Sequence, residues 1–354
     1  MTLNITLPLY LDRGDVMFLL WVLVPVLAWV VNVFYIHYKL AFIVPSIASI
    51  ILTAVIMIPA IKMTSLYTMF LYHFVVLSWI VDLINLVIKN NIWSWLYKYS
   101  VIPLLLSCLV LGYGLYNMKD IKRHEYNLKA QLAHNYKIVL LSDMHYGISL
   151  NRKELHQVVE RINQEKADLL LLAGDIFDEN TTRKGAKEAI DELSQITTTY
   201  GSYYVYGNHD KQLYTSKPVY TPKELKDWME DKNIQVLEDD VVSINNEIEL
   251  IGRKDQSDPT RKDINSLSID KKKYNIVLDH QPVDYQINKK AGIDLDLSGH
   301  THAGQIFPIG LINKLLPTSG QYIGYKKINH FEAIVTSGIA GWGYPIRTEG
   351  HSEY

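Results

Sequence analysis

Between Val16 and Met118 the only charged residues are Lys39, Lys62, Asp82, Lys89 and Lys98. So long a stretch with so few charges constrains the fold more than any other feature. A soluble domain must cover its surface with polar groups, so a buried helical bundle is disfavoured. Four stretches approach the roughly 20 apolar residues that cross a bilayer: about Val16–Ile36, Ala41–Ile61, Leu66–Ile88 and the shorter Val101–Tyr116. No small-residue cleavage site follows the first and three more apolar stretches do, so it reads as a retained span and not a signal peptide. Trp93, Trp95, Tyr97 and Tyr99 precede the fourth, where amphipathic rings mark a headgroup interface. Asp82 and Asn85 sit one turn apart in the third span, with His73 nearer its start. An intramembrane carboxylate is costly. It serves either a pocket for a lipid headgroup or the packing of helix on helix, and both readings stand.

With four spans, both termini share one side of the membrane. That side carries Arg13, Lys62, Lys119, Lys122 and Arg123, against Lys39, Lys89 and Lys98 on the other. The positive-inside tendency then places the C-terminal part in the cytoplasm. Lys119, Lys122 and Arg123 either rest on anionic headgroups or lie in a solvated linker. Division follows the charges: a membrane domain over 1–118, a linker over 119–135 and a soluble domain over 136–354. Tyr126, Leu128 and Ala130 alternate with polar residues, which predicts an extra strand in the linker. A net charge of -2 gives no nucleic-acid footprint. The lone Cys108 excludes an intramolecular disulfide and any site built from several thiolates.

In the soluble part, apolar runs alternate with amphipathic segments. Strands are predicted at Lys137–Leu141, Leu169–Leu172, Tyr203–Tyr206, Glu247–Ile251, Ile276–Leu278 and Ile293–Leu297, and near Ala333–Thr336. Helical spacing joins Leu155, Val158, Val159 and Ile162, and a second helix is predicted over Ala186–Ile196. Such alternation implies a layered α/β domain, in which loops at the carboxyl ends of strands gather distant residues at one rim. Short motifs follow these strands: Asp143-Met144-His145, Gly174-Asp175-Ile176-Phe177-Asp178, Gly207-Asn208-His209-Asp210, Asp279-His280-Gln281 and Gly299-His300-Thr301-His302. Singly, each reads as well as a turn. As an ordered set they supply carboxylate, amide and imidazole ligands that suit Mn, Fe or Zn, and no thiolates.

The set resembles the calcineurin-like metallophosphoesterase superfamily over about Tyr136 to Arg347. Leu141-Ser142-Asp143-Met144-His145, Asp279-His280-Gln281-Pro282 and Gly299–Gln305 resemble a bacterial membrane-anchored subgroup, YkuE-like and related to UDP-2,3-diacylglucosamine pyrophosphatases. The resemblance implies two facing β-sheets flanked by helices, after the multi-pass helical membrane domain. It also implies ligand roles: Asp143, His145 and His302 for one divalent cation, Asn208, His280 and His300 for a second, and Asp175 bridging both. A hydroxide between the ions would attack the phosphorus. His209 would face the scissile phosphate and either stabilise charge or protonate the leaving oxygen, oriented by Asp178 unless Asp178 is a simple loop cap. Asp210, Asp279 and Gln281 would steady ligands or lie solvated in loops. Gly174, Gly207 and Gly299 would allow tight turns at the metals.

The chain departs from the family pattern in places. Ala303 stands where a second glycine is usual, a mild change. Gly252-Arg253-Lys254-Asp255 replaces an acidic pair, placing positive charge near the substrate or on the surface. In the Gly-rich ending, Gly341-Trp342-Gly343-Tyr344-Pro345-Ile346-Arg347, the arginine grips a phosphate or makes a structural salt bridge. The final strand is expected to be shortened. Two functions compete. The first is a membrane-bound phosphoesterase acting on a phosphodiester, phosphomonoester or pyrophosphate of a lipid-linked or envelope-derived substrate. The second is a non-catalytic membrane sensor or scaffold whose soluble domain binds metal or a phosphorylated ligand. Retention of His209 and Asp178 favours the enzyme.

Overall fold

The structure, a computed structural model, describes residues 30–31, 33–41, 46–57, 65–315 and 321–354. The chain divides into two units, Met1–Leu111 and Gly112–Tyr354.

Among its described residues the first unit is helical: α1 (33–41), α2 (Ser46–Met57), α3 (Leu66–Asn85), α4 (Asn91–Lys98) and the start of α5 (Val101–Lys119). Among the described residues, only α3 and α5 are, by length and composition, apolar enough to cross a membrane. Most of the first expected span, and residues 42–45 and 58–61 of the second, lie outside the described residues. Trp93, Trp95 and Tyr97 of the aromatic cluster lie in α4 and Tyr99 caps its end; at its start the Asn90 side chain accepts from Trp93 N. Asp82 is taken up by its neighbours: Lys39 Nζ lies 2.5 Å from one carboxylate oxygen and Tyr35 OH donates to the other at 2.5 Å. Trp93 Nε1 donates to Asn85 at 2.9 Å. These partners favour the helix-packing reading of Asp82 over the headgroup pocket.

The second unit is a four-layer α/β domain. Its first sheet is parallel, in the order β1 (Ile138–Leu141), β2 (Leu169–Ala173), β3 (Ser202–Val205), β4 (Ile234–Val236). Crossovers run through α6 (Arg152–Glu165), α7 (Arg183–Leu193) and α8 (Pro222–Glu230). Asn151 and Glu154 form a capping box that starts α6, and Thr221, Pro222 and Glu224 start α8 in the same way. The second sheet is mixed, in the order β5-β6-β7-β8-β10-β9, built from β5 (Asp240–Ile244), β6 (Ile248–Gly252), β7 (Tyr274–Leu278), β8 (Leu295–Ser298), β9 (Gly324–Ile328) and β10 (Phe331–Val335). Short helices α9 (Tyr285–Ala291) and α10 (Ile309–Leu315) accompany it.

Strand alternation builds the layers. In β2, Leu170 and Leu172 pack with Leu155, Val159 and Ile162 of α6. Leu169, Leu171 and Ala173 point the other way, onto Leu250, Ile276, Leu278 and Leu297 of the second sheet. A strand covered on both faces needs a continuous apolar run, which is why Leu169–Leu172 lacks alternation. Each fully buried leucine contributes about 1.5–3 kcal/mol. The predicted linker strand does not form. Residues 123–132 run as an extended strap tied by a single bridge, Lys122 to Glu353. Tyr126, Leu128 and Leu132 lie against the inter-sheet core. Between strap and sheets remains a cleft of ≈ 1110 Å³, lined also by Ile138, Leu140, Leu295, Leu297 and Ile334. Lys122 N and His124 N donate to Ser352 O and Tyr354 O, so that bridge stands where a last strand would run.

Asp296 of β8 is buried between the second sheet and α9. Its Oδ2 accepts from Asn288 Nδ2 at 2.8 Å, while Oδ1 has no partner. Burial, reinforced by Asp279, raises its carboxyl well above the usual range. The folded protein therefore holds a proton that the unfolded chain releases above about pH 3.9, and stability falls as pH rises from there towards the folded value. Asp296→Asn removes that penalty. The variant melts level with the parent near the unfolded pKa and pulls ahead as pH rises, by about 1 kcal/mol or more at neutral pH. Thermal scans of the detergent-solubilised chain across pH check this; parallel curves at all pH values contradict it.

Candidate metal centre

Every expected ligand follows the carboxyl end of a strand: Asp143 and His145 after β1, Asp175 after β2, Asn208 after β3, His280 after β7, His300 and His302 after β8. The loops bend sharply to aim these side chains. Asp143, His145, Asp175, His300 and His302 have φ of 54°, 39°, 50°, 70° and 50°, a left-handed conformation that non-glycine residues avoid. Such strain, of order 1–3 kcal/mol each, collects at functional sites. Glycines let the loops close. A Cβ on Gly207 would lie 2.1 Å from Asp175 Oδ1, and one on Gly299 would lie 2.0 Å from Ser142 Oγ.

Two donor groups result, Asp143–His145–His302 and Asp175–His280–His300, each with ligand atoms within 4.8 Å of one another. In the first, His302 Nε2 lies 3.3 Å from both Asp143 Oδ1 and His145 Nε2. In the second, His280 Nε2 lies 3.2 Å from Asp175 Oδ2, 3.1 Å from His300 Nδ1 and 3.1 Å from Asn208 Oδ1. Asp175 Oδ2 is also 3.7 Å from His145 Nε2, so one oxygen faces both groups.

The donors fit divalent cations. His280 Nδ1 meets the carbonyl of Ala173 at 2.8 Å, which places its proton there and leaves the Nε2 lone pair in the cluster. Asp143 Oδ1 is buried without a hydrogen-bond partner. Imidazole nitrogens and carboxylate oxygens crowd together without enough protons to share, an arrangement that a cation satisfies. The charges agree. Burial would raise the carboxyls of Asp143 and Asp175, but the surrounding imidazoles hold the first below the usual range and the second well below it. Burial lowers His302 to about 3, keeping that ring neutral. Burial would lower His280 too, but Asp175 and Asp143 carry it well above the ordinary value, so positive charge is drawn to this point.

His209 sits over the cluster, its ring 5.5 Å from that of His145 and packed between Tyr214 and Trp342. Its orienting partner differs from the expected one. Glu179 Oε2, not Asp178, lies 2.9 Å from His209 Nδ1. Asp178 Oδ1 instead accepts from Asn180 N and Thr181 N, and Oδ2 stands 3.5 Å from His145 Nδ1. The turn after β2 draws Asp178 inward as cap and backstop, and the longer next side chain reaches the ring. Burial would lower His209, but Glu179 and Asp175 outweigh it and the ring holds its proton above the ordinary value.

The supporting residues all have partners. Asp210 accepts from the N–H groups of Asp175, Phe177 and Gly207 at 2.7, 2.9 and 2.7 Å, tying the loops after β2 and β3 together. Burial, then Asp175, raises its carboxyl to about 6. Asp279 accepts from His280 N and is held by Arg261, whose NH2 lies 2.6 Å away. Gln281 donates to Asp255. Arg261 carried no sequence signal, being a loop residue outside every motif. Glu179, Tyr214 and Trp342 were also missed; only Glu179, adjacent to a motif, offered a cue.

In the Arg253-Lys254 pair only Lys254 fits the surface reading, its Nζ donating to Thr260 Oγ1 at 2.7 Å, and Arg347 fits neither of its readings. Arg253 is buried, its NH2 on the carbonyl of Lys262 and its NH1 2.9 Å from Asp239, so its charge lies neither on the surface nor before a substrate. Arg347 is fully buried and makes no salt bridge among the described residues. It donates to the carbonyls of His302, His351, Ser337 and Ala340. Ala303 is accommodated at φ 49° in the short turn His302–Gly304.

The calcineurin-like phosphoesterase family matches residues 136–304. An uncharacterized metallophosphoesterase of Helicobacter pylori is 35% identical over 225 residues, 61% of this chain and 58% of its own. This chain therefore spans less than two thirds of that relative. One from Aquifex aeolicus is 30% identical over 223 residues, 60% of this chain and 80% of its own. A Danio rerio protein named as a transmembrane protein with a metallophosphoesterase domain is 27% identical over 285 residues, 73% of this chain and 62% of its own.

Proposed function

Because the chain belongs to the calcineurin-like metallophosphoesterases, we propose that it is a membrane-bound hydrolase of phosphoric esters that works with two divalent cations. One observation carries the reading: Asp175 Oδ2 faces His280 on one side and His145 on the other, joining two donor groups through one oxygen. Asp143, His145 and His302 would hold one cation; Asn208, His280 and His300 the other; Asp175 both. Mn, Fe and Zn all suit these ligands. Such cations, when bound, supply Lewis acidity and lower the pKa of water towards neutrality.

The remaining steps belong to the chain itself. Glu179 fixes the Nδ1 side of His209 and leaves Nε2 for the substrate. A ring that keeps its proton above the ordinary histidine value suits delivery to the leaving oxygen. Tyr214 and Trp342 flank the ring and limit its rotation. Asp210 and the Arg261–Asp279 pair keep the loops of Asp175 and His280 from relaxing out of their strained conformations.

The membrane reading rests on two apolar helices and on the charge-poor N-terminal part. It extends to a multi-pass domain, a cytoplasmic catalytic face and a place in the YkuE-like, UDP-2,3-diacylglucosamine pyrophosphatase-related subgroup. The substrate is a lipid-linked or envelope-derived phosphate, to which a tether gives a high local concentration.

The test uses the full chain in detergent, assayed on bis-p-nitrophenyl phosphate and p-nitrophenyl phosphate with Mn²⁺ and again after chelation. Turnover that disappears on chelation and returns with metal is expected. No turnover by a chain shown to bind two metals would leave a binding domain and remove the hydrolase.

A further inference from the structure

We propose that α10 lies in the lipid headgroup layer and holds the rim of the metal centre against the bilayer; the inference rests on the membrane-bound reading above. The helix is built the wrong way round for a globular domain. Ile309, Leu311, Ile312 and Leu315 are 43%, 45%, 49% and 68% exposed. At about 100° per residue these four share one side of the helix. Gly310 faces the opposite way and is buried, where a Cβ would come 2.1 Å from Tyr322 OH and 2.6 Å from Glu349 Cδ. An amphipathic helix ordinarily turns its apolar side to the core. A cluster of exposed apolar side chains marks a surface that something covers.

The fastening of α10 identifies lipid as the cover. Thr348 Oγ1 accepts from Phe307 N at 3.0 Å, and Glu349 Oε2 accepts from Gly310 N at 2.7 Å. The same few residues clasp the last two turns of α5. Arg347 N donates to Gly114 O at 3.0 Å, and Asn117 Nδ2 donates to the carbonyls of Arg347 and Gly350. A Cβ on Gly114 would lie 2.7 Å from Thr348 Cγ2. Among the described residues α5 is one of two helices apolar enough to span, and its end leaves Tyr113, Leu115 and Tyr116 exposed. Tyrosines at the end of a span sit at headgroup level. α10 is therefore pinned at the level where that span emerges, with an apolar side to bury and Lys314 among its polar residues.

The consequence reaches the metals. Gly304, two residues beyond His302, packs on Gly310, and Thr301 Oγ1 donates to Tyr322 O at 2.7 Å. The loop carrying His300 and His302 is thus backed by α10. A centre held at that level takes a phosphoester whose carrier is itself embedded in the membrane.

Depth-dependent fluorescence quenching tests this. The full chain, in a Cys108→Ser background, receives a single cysteine by Ile312→Cys, Leu315→Cys or, as control, Lys184→Cys on α7. Each is labelled with an NBD fluorophore and reconstituted in phosphatidylcholine–phosphatidylglycerol vesicles, with and without lipids carrying a shallow nitroxide. Labels at 312 and 315 should be blue-shifted and quenched several-fold more than the label at 184. Equal quenching at all three overturns the inference. A blue-shifted label that nitroxide lipids do not quench means that protein covers α10, a second copy or another partner, and overturns it too. An alkaline wash separates the two failures. If the chain stays with the vesicles while 312 is unquenched, the membrane reading stands and only the docking of α10 falls. If the chain washes off, both fall.

Discussion

Asp175→Asn should abolish metal-dependent hydrolysis and lower the number of metals held per chain. The side chain keeps its shape, and the N–H of His209 can still donate to Oδ1, which now lies 2.9 Å away. What disappears is the negative charge and the second lone-pair-bearing oxygen between His280 and His145. Without it the donor groups lose their common ligand, and the imidazoles around the position lose the carboxylate that balances them. A loss of about 10³-fold or more in kcat/KM is expected, equivalent to about 4 kcal/mol of transition-state stabilisation. Elemental analysis alongside the assay gives the check. A variant that keeps both metals and most of its activity would exclude Asp175 as a shared ligand.

His209→Ala should lower kcat by about 10²–10⁴-fold, the range for loss of a positioned acid, while leaving metal content unchanged. Glu179→Gln should do the same to a smaller degree, because an amide can still accept the Nδ1 hydrogen bond but no longer stabilises a charged ring. The contrast with Asp178→Asn is the discriminating comparison. Asp178 stands 3.5 Å from His145 and caps Asn180 and Thr181, so its loss should appear in metal retention and loop stability more than in proton transfer. Substrates with good leaving groups need little protonation, so activity of His209→Ala should recover in part on p-nitrophenyl esters relative to alkyl esters. Uniform loss on both would assign His209 to charge stabilisation alone.

The candidate centre was legible from sequence because its donor residues are chemically particular and stand directly after strands. Asp143, Asp175, Asn208 and His280 each follow an apolar run that could only be a buried strand. Leu169–Leu172 announced itself by lacking any polar residue. The strands that escaped, β4, β5 and β9, have weaker patterns for physical reasons. β4 has only three residues, and all three are at or beside sheet edges, where charge protects against unwanted pairing and dilutes the apolar signal. β9 reads Gly-Tyr-Lys-Lys-Ile, a poor strand by pattern and a sound edge by function. The roles of Glu179, Arg253 and Arg347 were misjudged or missed for another reason. Each depends on a partner distant in sequence, two of them on backbone carbonyls, which leave no trace in residue type. The linker strand failed because the alternation at Tyr126 and Leu128 records one-sided burial, which a strap satisfies as well as a strand, while Ala130, the third residue of the pattern, is exposed.

The strap bears on how this protein can be handled. A soluble fragment begun at Tyr136, where the family match starts, would discard it. It would also lose the Lys122 and His124 hydrogen bonds that hold the last residues of the chain. Leu140, Leu295, Leu297 and Ile334 would then line an uncovered groove along the sandwich. Such a fragment would be prone to self-association before it was ever assayed. The compact unit that contains the strap starts within α5, at Gly112, and so carries the end of a candidate span with it. The end of α5 and the domain that holds the candidate metal centre are in this sense one folding problem, and a purification that tests the proposed membrane attachment includes detergent or lipid from its first step.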